Sequence, residues 1–231
     1  INGVIVIGGG GSIAQSDCLL KNGFPVIAIP STVQDDIVGS DISLGVDSAL
    51  NNILQCIEHI RSCDSSRNRC FLVQVDGRET GSLAARAALT SGAEICLVPE
   101  DTEPDLEKIT KYISKTLSSG KTQCISIVAH GWKPGIDELS TYIHNSKIGS
   151  ELLVRKTVLG YIQRGGQPSG YDRILGTLFG AASVKALAAG ETGVTIGIKD
   201  GSIVKIPYKD IIGHYKPIDP TYTDLFEATN K

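Results

Sequence analysis

Hydrophobic residues along the chain form two kinds of segment, short apolar runs and longer stretches with helical spacing. The runs Val4–Ile7, Phe24–Ile29 and Phe71–Val75 each end at a glycine, a proline or an acidic residue, which predicts buried strands. Over 46–60 and 105–117, apolar residues recur every three or four positions, which is the spacing of one helix face. Strands that alternate with helices in this way predict an α/β fold with mainly parallel sheets.

The C-terminal part of the chain predicts a β-hairpin. Its two apolar segments, 194–198 and 203–206, flank Asp200-Gly201, a pair that suits a tight turn. The other elements that we predict are strands over 95–98, 125–128 and 157–159 and helices over 12–20, 81–89, 136–143 and 172–187. No linker separates these elements, so we expect any second domain to be interleaved with the first.

The composition narrows the class of protein. With 41% hydrophobic and 20% charged residues, the chain is typical of a globular protein with a buried core. It contains no apolar run near the about 20 residues of a membrane helix, no signal peptide and no C-x-x-C motif among its six cysteines. We therefore expect a cytoplasmic protein without membrane contact. The net charge of −3 argues against a nucleic-acid partner, although a few local arginines can still hold an anionic metabolite.

A glycine-rich segment follows the first predicted strand. It consists of Gly8, Gly9, Gly10, Gly11 and Ser12. Glycines let a backbone approach a phosphate closely, and the helix that follows directs free N–H groups and the positive end of its dipole toward it. The segment favours a phosphate or nucleotide site, and a strand-to-helix turn without a ligand is the alternative.

An acidic loop follows the second predicted strand, at the end where parallel sheets bind their ligands. In this loop the adjacent carboxylates Asp35 and Asp36 lie close to the hydroxyl of Thr32. Such a set suits a magnesium and phosphate site. A solvated acidic loop that caps a helix is the alternative.

A glycine-flanked arginine precedes the long C-terminal helix. Arg164 stands before Gly165-Gly166, and Asp172 follows at the start of the predicted helix. Arginine forks onto phosphate oxygens, and the glycines leave space for the ligand. Asp172 has a simpler interpretation as a cap of that helix.

Taken together, these segments resemble the 6-phosphofructokinase family, of the phosphofructokinase A type, in order over nearly the whole chain. Val158–Gly166 is a highly specific part of the resemblance. The matching segments are Gly8–Ser12, Pro30–Ile37, Gly45–Ala49, Val75–Arg78, Pro99–Glu100, Val158–Gly166 and Tyr171–Arg173.

The resemblance implies two Rossmann-like lobes with mainly parallel sheets and a ligand cleft between them. Residues 1–45 plus 163–215 would form the nucleotide or phosphate-donor lobe, and 46–162 plus 216–231 the sugar-phosphate lobe. The first third of the family's sequence has no counterpart here, and the chain starts at Ile1 rather than at methionine. We therefore expect a donor lobe that is incomplete at its N-terminus.

The family that the chain resembles phosphorylates fructose 6-phosphate at its 1-hydroxyl, with Mg²⁺ and with ATP or, in some branches, pyrophosphate. The resemblance implies catalytic positions at Thr32, Gln34, Asp36 and Arg78, a metal ligand at Asp36, sugar-phosphate contacts at Arg69, Asp76, His130, Arg155, Tyr161 and Arg164, and nucleotide contacts at Gly8 to Ser12. In the family, two of the corresponding arginines come from a neighbouring subunit. A homo-oligomer, or a hetero-oligomer with a phosphofructokinase subunit, is therefore implied.

Two departures from the family pattern affect phosphate transfer. Gly10 stands where the family has an aspartate that serves the magnesium–nucleotide complex, so ATP and Mg²⁺ binding should be weakened. Gln34 stands where the family has its general base, and an amide has no useful basicity. Losing a positioned base typically costs a factor of about 10²–10⁴ in rate. Asp35 lies one residue too late to replace it without a change in the direction of its side chain.

Other departures affect the sugar and the donor. His130, Tyr161 and Asp76 replace a glutamate, a histidine and a methionine of the family, which leaves the identity of the sugar open. The donor is also open, because Ser31 replaces the glycine of ATP users or the lysine of pyrophosphate users, whereas Gly11 matches ATP users.

Three hypotheses follow from this pattern. The favoured one is an impaired or regulatory subunit that binds a sugar phosphate, since the missing charges are those of transfer and all three phosphate-binding arginines are present. The second is an active ATP-dependent 6-phosphofructokinase of glycolysis. The third is a decayed copy with structural value only, against which the three arginines argue.

Overall fold

The computed structural model describes residues 2–63, 68–150 and 152–229. In chain order, the elements are β1 (Val4–Gly8), α1 (Gly10–Lys21), β2 (Val26–Pro30), α2 (Val46–Cys63), β3 (Arg69–Val75), α3 (Ser82–Ser91), β4 (Ile95–Leu97), α4 (Leu106–Ser118), β5 (Gln123–Ala129), α5 (Ile136–Asn145), β6 (Leu153–Val158), a 3₁₀ helix η1 (Gly160–Arg164), α6 (Gly170–Ala188), β7 (Val194–Lys199), β8 (Ser202–Pro207), α7 (Tyr208–Ile211) and α8 (Pro220–Thr229). None of the helices in the described ranges is long and apolar enough to cross a bilayer.

The chain forms two compact units, each built from two stretches of sequence. Unit 1 contains residues 1–49 and 167–217, and unit 2 contains residues 50–166 and 218–231. The chain passes between the units after residues 49, 166 and 217, whereas the sequence placed the divisions after 45, 162 and 215.

Unit 1 contains a four-stranded sheet in the order β1-β2-β7-β8. β1, β2 and β7 are parallel, and β8 pairs antiparallel with β7 in the predicted hairpin. Every residue of β2 is buried, because β2 is a central strand, and its apolar run is correspondingly continuous. Part of the core is the cluster Ile13, Ala28, Ile37, Ile206, Tyr208 and Ile211.

Unit 2 contains a second four-stranded sheet, in the order β4-β5-β3-β6, in which all pairs are parallel. The spacing of apolar residues in α4 and α5 directs one face of each helix, including Ile113 and Leu139, into the same core as Leu72. Asp105 caps α4, since its Oδ1 accepts the Lys108 N–H at 2.9 Å. The α/β fold with mainly parallel sheets is confirmed in both units.

The elements that differ from the sequence prediction include β6, α8 and η1. β6 begins at Leu153 rather than at 157, because it is an edge strand with four exposed residues and therefore lacks a continuous apolar run. Helix α8 contains no buried residue, so it shows no helical stripe of core positions. The short helix η1 lies in a segment that the sequence indicated only as a glycine-flanked ligand loop.

Asp172 does not cap its own helix, which corrects the interpretation from sequence. Ser169 is the cap of α6, since its hydroxyl accepts the Asp172 N–H at 3.1 Å. The Asp172 carboxylate is buried. It accepts hydrogen bonds from the backbone N–H groups of Gly45 and Ser48, each at 2.8 Å, and from the Ser48 hydroxyl. Asp172 therefore caps the start of α2 and joins the two sequence stretches of unit 1.

Replacing Asp172 with alanine should lower the free energy of unfolding by about 3 kcal/mol, because hydrogen bonds to a charged group contribute about 1.5–3 kcal/mol and their donors would lose an acceptor. The control is Ser169→Ala, which removes an ordinary cap and should cost about 1 kcal/mol. Urea denaturation measures both values. Equal costs for the two variants would contradict the assignment of Asp172 to the start of α2.

Candidate functional site

The glycine segment of unit 1 lies at the carboxyl end of β1, directly beside the end of β2. Gly8 pairs with Pro30 in the parallel register, and the Ser31 N–H donates to the Gly8 carbonyl at 2.9 Å. A Cβ atom on Gly9 would lie 3.4 Å from Cβ of Thr32, in van der Waals contact. The glycine segment therefore lies directly against the loop that follows β2.

The first turn of α1 suits an anion. The helix begins at Gly10, and its first turn contains no acidic residue. The free N–H groups and the positive dipole end of such a turn attract phosphate. Packing does not require glycine at position 10, because a Cβ atom there would meet only Cδ1 of Ile37 at 3.9 Å. A side chain at position 10 would therefore fit the fold.

The acidic loop after β2 is held in place by Asp35 and Lys216. Asp35 has a left-handed backbone, with φ 54°, and is buried. Its Oδ1 accepts the Ser43 N–H at 3.0 Å, and its Oδ2 forms an ion pair with Nζ of Lys216 at 3.0 Å. Lys216 also donates its backbone N–H to the carbonyl of Asp36 at 3.0 Å. Asp35 therefore serves the folding of the loop, and its carboxylate is not positioned as a substitute base.

The remaining loop residues offer little to a metal ion. Thr32 accepts the backbone N–H of Gln34 at 3.2 Å through Oγ1. Gly10 lacks a side chain and the Asp35 carboxylate is paired with Lys216, while Asp36, the metal ligand that the resemblance implies, follows in the same loop. In the described part of the chain, no group of three or more His, Cys, Asp or Glu side chains could hold a metal ion. These residues do not fit a metal site built from protein side chains alone.

The candidate site of unit 2 lies where β5, β3 and β6 end side by side. The segments that follow these strands are held together by backbone hydrogen bonds, from the His130 N–H to the Val75 carbonyl at 2.9 Å and from the Gly131 N–H to the Gly77 carbonyl at 2.7 Å. Gly131 packs directly on the backbone of Arg78, where a Cβ atom would overlap it. Parallel pairing thus brings together His130, Asp76, Arg78 and the segment with Tyr161 and Arg164.

Two amide side chains that the sequence did not indicate as site residues fix the shape of this region. The buried Gln163 accepts the Asp76 N–H at 3.0 Å and donates to the Gly160 carbonyl at 2.8 Å. Asn52, on α2, donates to the carbonyls of Gln163 and Gly165 at 3.2 and 2.7 Å. Gln163 lies inside the highly specific Val158–Gly166 motif, so its position could have marked it as a site residue. Nothing in the sequence distinguished Asn52 from the other polar residues of its helix.

Arg164 forms an ion pair within the site. Its Nε donates to Oδ2 of Asp76 at 2.6 Å, and its guanidinium carbon lies 5.4 Å from the centre of the Tyr161 ring. The Asp76 side chain is 13% exposed and the Arg164 side chain 46%. The hydrogen bond to Asp76 raises the pKa of the Arg164 guanidinium, which therefore stays charged at any ordinary pH.

Arg69 and Arg155 lie elsewhere on the same sheet. Arg69 is the first residue of β3, about 23 Å from Asp76 at the usual rise of about 3.3 Å per residue. Arg155 pairs with Phe71, so it shares a sheet face with Arg69, and it is exposed on the edge strand β6. The unit therefore places Arg164 beside Asp76 but separates it from Arg69 and Arg155.

Comparison with known proteins identifies the relatives of the chain. A phosphofructokinase family model matches residues 1–187. The ATP-dependent 6-phosphofructokinase of Natranaerobius thermophilus is 39% identical, over 99% of this chain and 69% of that protein. The one of Halalkalibacterium halodurans is 37% identical, over 95% of this chain and 67% of that protein. The crystal structure of Pichia pastoris phosphofructokinase in the T-state is similar, with a TM-score of 0.83 and 26% identity, over 100% of this chain and 28% of that one. The chain thus spans about two thirds of these curated relatives and under a third of the Pichia protein.

Replacing Lys216 with methionine should lower the free energy of unfolding by about 3 kcal/mol or more, because breaking a buried ion pair leaves an uncompensated charge. The double variant Asp35→Asn with Lys216→Met should recover most of that loss. Lys21→Met, which breaks an exposed pair with Asp17, is the matched control and should change little. Urea denaturation of all three variants checks this. A double variant as unstable as Lys216→Met alone would show that Asp35 is not the charge that Lys216 compensates.

Proposed function

The chain belongs to the phosphofructokinase family, and we propose that it binds fructose 6-phosphate or a related sugar phosphate but transfers phosphate poorly, as an impaired or regulatory subunit. One observation carries the proposal. The resemblance assigns the position of the family's general base to Gln34, whose amide is not basic, and the adjacent carboxylate, Asp35, is paired with Lys216 inside the fold. Gly10 adds a second missing acid at a position where a side chain would fit.

The sugar-phosphate side of the proposal depends on unit 2. Arg164 presents a charged guanidinium at the carboxyl edge of the sheet, next to Asp76 and Tyr161. We assign the phosphate of the sugar to Arg164, because a guanidinium binds phosphate oxygens with directed hydrogen bonds. The separation of Arg69 and Arg155 from Arg164 supports a role for these two arginines toward a neighbouring subunit, in a homo-oligomer or in a hetero-oligomer with an active phosphofructokinase subunit.

The donor side of the proposal depends on unit 1. The segment from Gly8 to Ser12 and the start of α1 suit the phosphates of ATP. When bound with ATP, Mg²⁺ would neutralise phosphate charge. Because Gly10 offers the ion no side chain, we expect weak binding of magnesium–ATP. A cytoplasmic location completes the proposal, in keeping with a sugar-phosphate ligand.

An active ATP-dependent 6-phosphofructokinase is the second candidate function. It is favoured by the relatives at 39% and 37% identity, which are named ATP-dependent 6-phosphofructokinases. The two candidates differ in turnover and not in ligand, so a single pair of measurements separates them.

The test of the proposal combines calorimetry with a coupled assay for fructose 1,6-bisphosphate. The unmodified chain should bind fructose 6-phosphate, with turnover at least about 100-fold below the about 10 s⁻¹ of an ordinary enzyme. Gly10→Asp combined with Gln34→Asp should raise turnover at least about tenfold, because it restores a metal-site acid and a base. The matched control is Gly11→Asp with Gln34→Asn, which adds an acid one position away and keeps an amide.

Two results would contradict the proposal. Turnover of the unmodified chain within about 100-fold of an ordinary enzyme would favour the active kinase. A variant with both acids restored that is no faster than its control would show that the missing acids do not explain the missing activity.

A further inference from the structure

Arg164 is anchored through one side of its guanidinium. Its Nε is bonded to Asp76, and within residues 2–63, 68–150 and 152–229 its two terminal amino groups have no hydrogen-bond partner. The Arg164 side chain is 46% exposed. The terminal amino groups form the end of the guanidinium that forks onto an oxyanion. Asp76 thus holds Arg164 with its phosphate-binding end available.

Only one of the two carboxylate oxygens of Asp76 accepts a hydrogen bond within the described ranges. Its backbone N–H is fixed by Gln163 and its Oδ2 by Arg164, whereas its Oδ1 accepts no hydrogen bond in the described ranges. The side chain is 13% exposed, so Oδ1 lies in a partly enclosed environment. A carboxylate oxygen there can accept a hydrogen bond from a hydroxyl group, but it repels an anion.

We propose that Asp76 and Arg164 act as one recognition pair that selects a phosphorylated sugar over a phosphate ester without hydroxyl groups. Arg164 binds the phosphate, and Oδ1 of Asp76 accepts a hydrogen bond from a neighbouring hydroxyl of the same ligand. The inference rests on the proposed function and names the feature of the ligand that the site recognises. Asp76 is a specificity-determining residue, because its negative charge weakens the binding of every phosphate and only a hydroxyl donor offsets that loss.

Removing the Asp76 carboxylate should change the affinities for two ligands in opposite directions. Fructose 6-phosphate and methyl phosphate are both phosphate monoesters, but only the first carries hydroxyl groups. Removing the carboxylate takes a charged hydrogen-bond acceptor from the sugar, which typically weakens binding about tenfold or more. The same change removes repulsion from methyl phosphate, whose binding should become about threefold tighter.

The test is a calorimetric titration of Asp76→Ala and of the unmodified chain with both monoesters. Asp76→Ala should bind fructose 6-phosphate about tenfold more weakly and methyl phosphate about threefold more tightly. The near-isosteric Asp76→Asn, which keeps the shape of the side chain, should also bind methyl phosphate more tightly. Asp224→Ala, which removes an exposed carboxylate on α8, is the matched control and should change neither affinity more than about twofold.

Each other outcome overturns the proposal. Tighter binding of both ligands would mean that Asp76 only repels phosphate, and weaker binding of both would mean that it only orients Arg164. Unchanged affinities would place Asp76 outside the binding site. If the unmodified chain does not bind fructose 6-phosphate at all, the proposed function itself fails, and the recognition pair fails with it.

Discussion

The parallel pairing of neighbouring strands is the constraint on which both candidate sites depend. Parallel strands end at the same edge of a sheet, so the segments after β1 and β2 must meet, and so must those after β5, β3 and β6. Backbone hydrogen bonds between these segments, such as Ser31 to Gly8 and His130 to Val75, then fix their positions. The polar side chains on the segments after these strands are thereby brought close together.

Two buried carboxylates of unit 1 are used by the fold itself. Asp35 is paired with Lys216, and Asp172 caps the start of α2, so both acids stabilise unit 1. At the two positions where the resemblance implies carboxylates for phosphate transfer, the chain has Gly10 and Gln34. These observations together support the proposal that the chain binds a sugar phosphate better than it transfers phosphate.

The sequence predicted the elements that have a clear local signal. Buried strands, amphipathic helices and the Asp200-Gly201 hairpin are set by neighbouring residues, and they occur as predicted within a few positions. The positions of the glycine segment and the acidic loop at the ends of strands were likewise predicted, because each follows an apolar run.

The contacts that give the candidate sites their properties could not be predicted. The Asp76–Arg164 pair joins residues 88 positions apart and exists because β3 and β6 are neighbours, an order that no local pattern specifies. Asp35 with Lys216 and Asp172 with Ser48 are separated by 181 and 124 positions. For the same reason the sequence could not show that Arg69 begins β3 and Arg155 lies within β6, whereas Arg164 follows the carboxyl end of β6.

The central proposal is that the chain binds its sugar phosphate but transfers phosphate poorly. Phosphorus NMR of one sample that contains the chain, Mg²⁺, ATP and fructose 6-phosphate tests both parts together. We predict that the sugar-phosphate resonance shifts or broadens as the chain is added, while the resonance of fructose 1,6-bisphosphate grows at less than about 0.1 s⁻¹ per chain, about 100-fold below an ordinary enzyme. Growth of the bisphosphate resonance above that rate, in proportion to the amount of chain, would contradict the prediction.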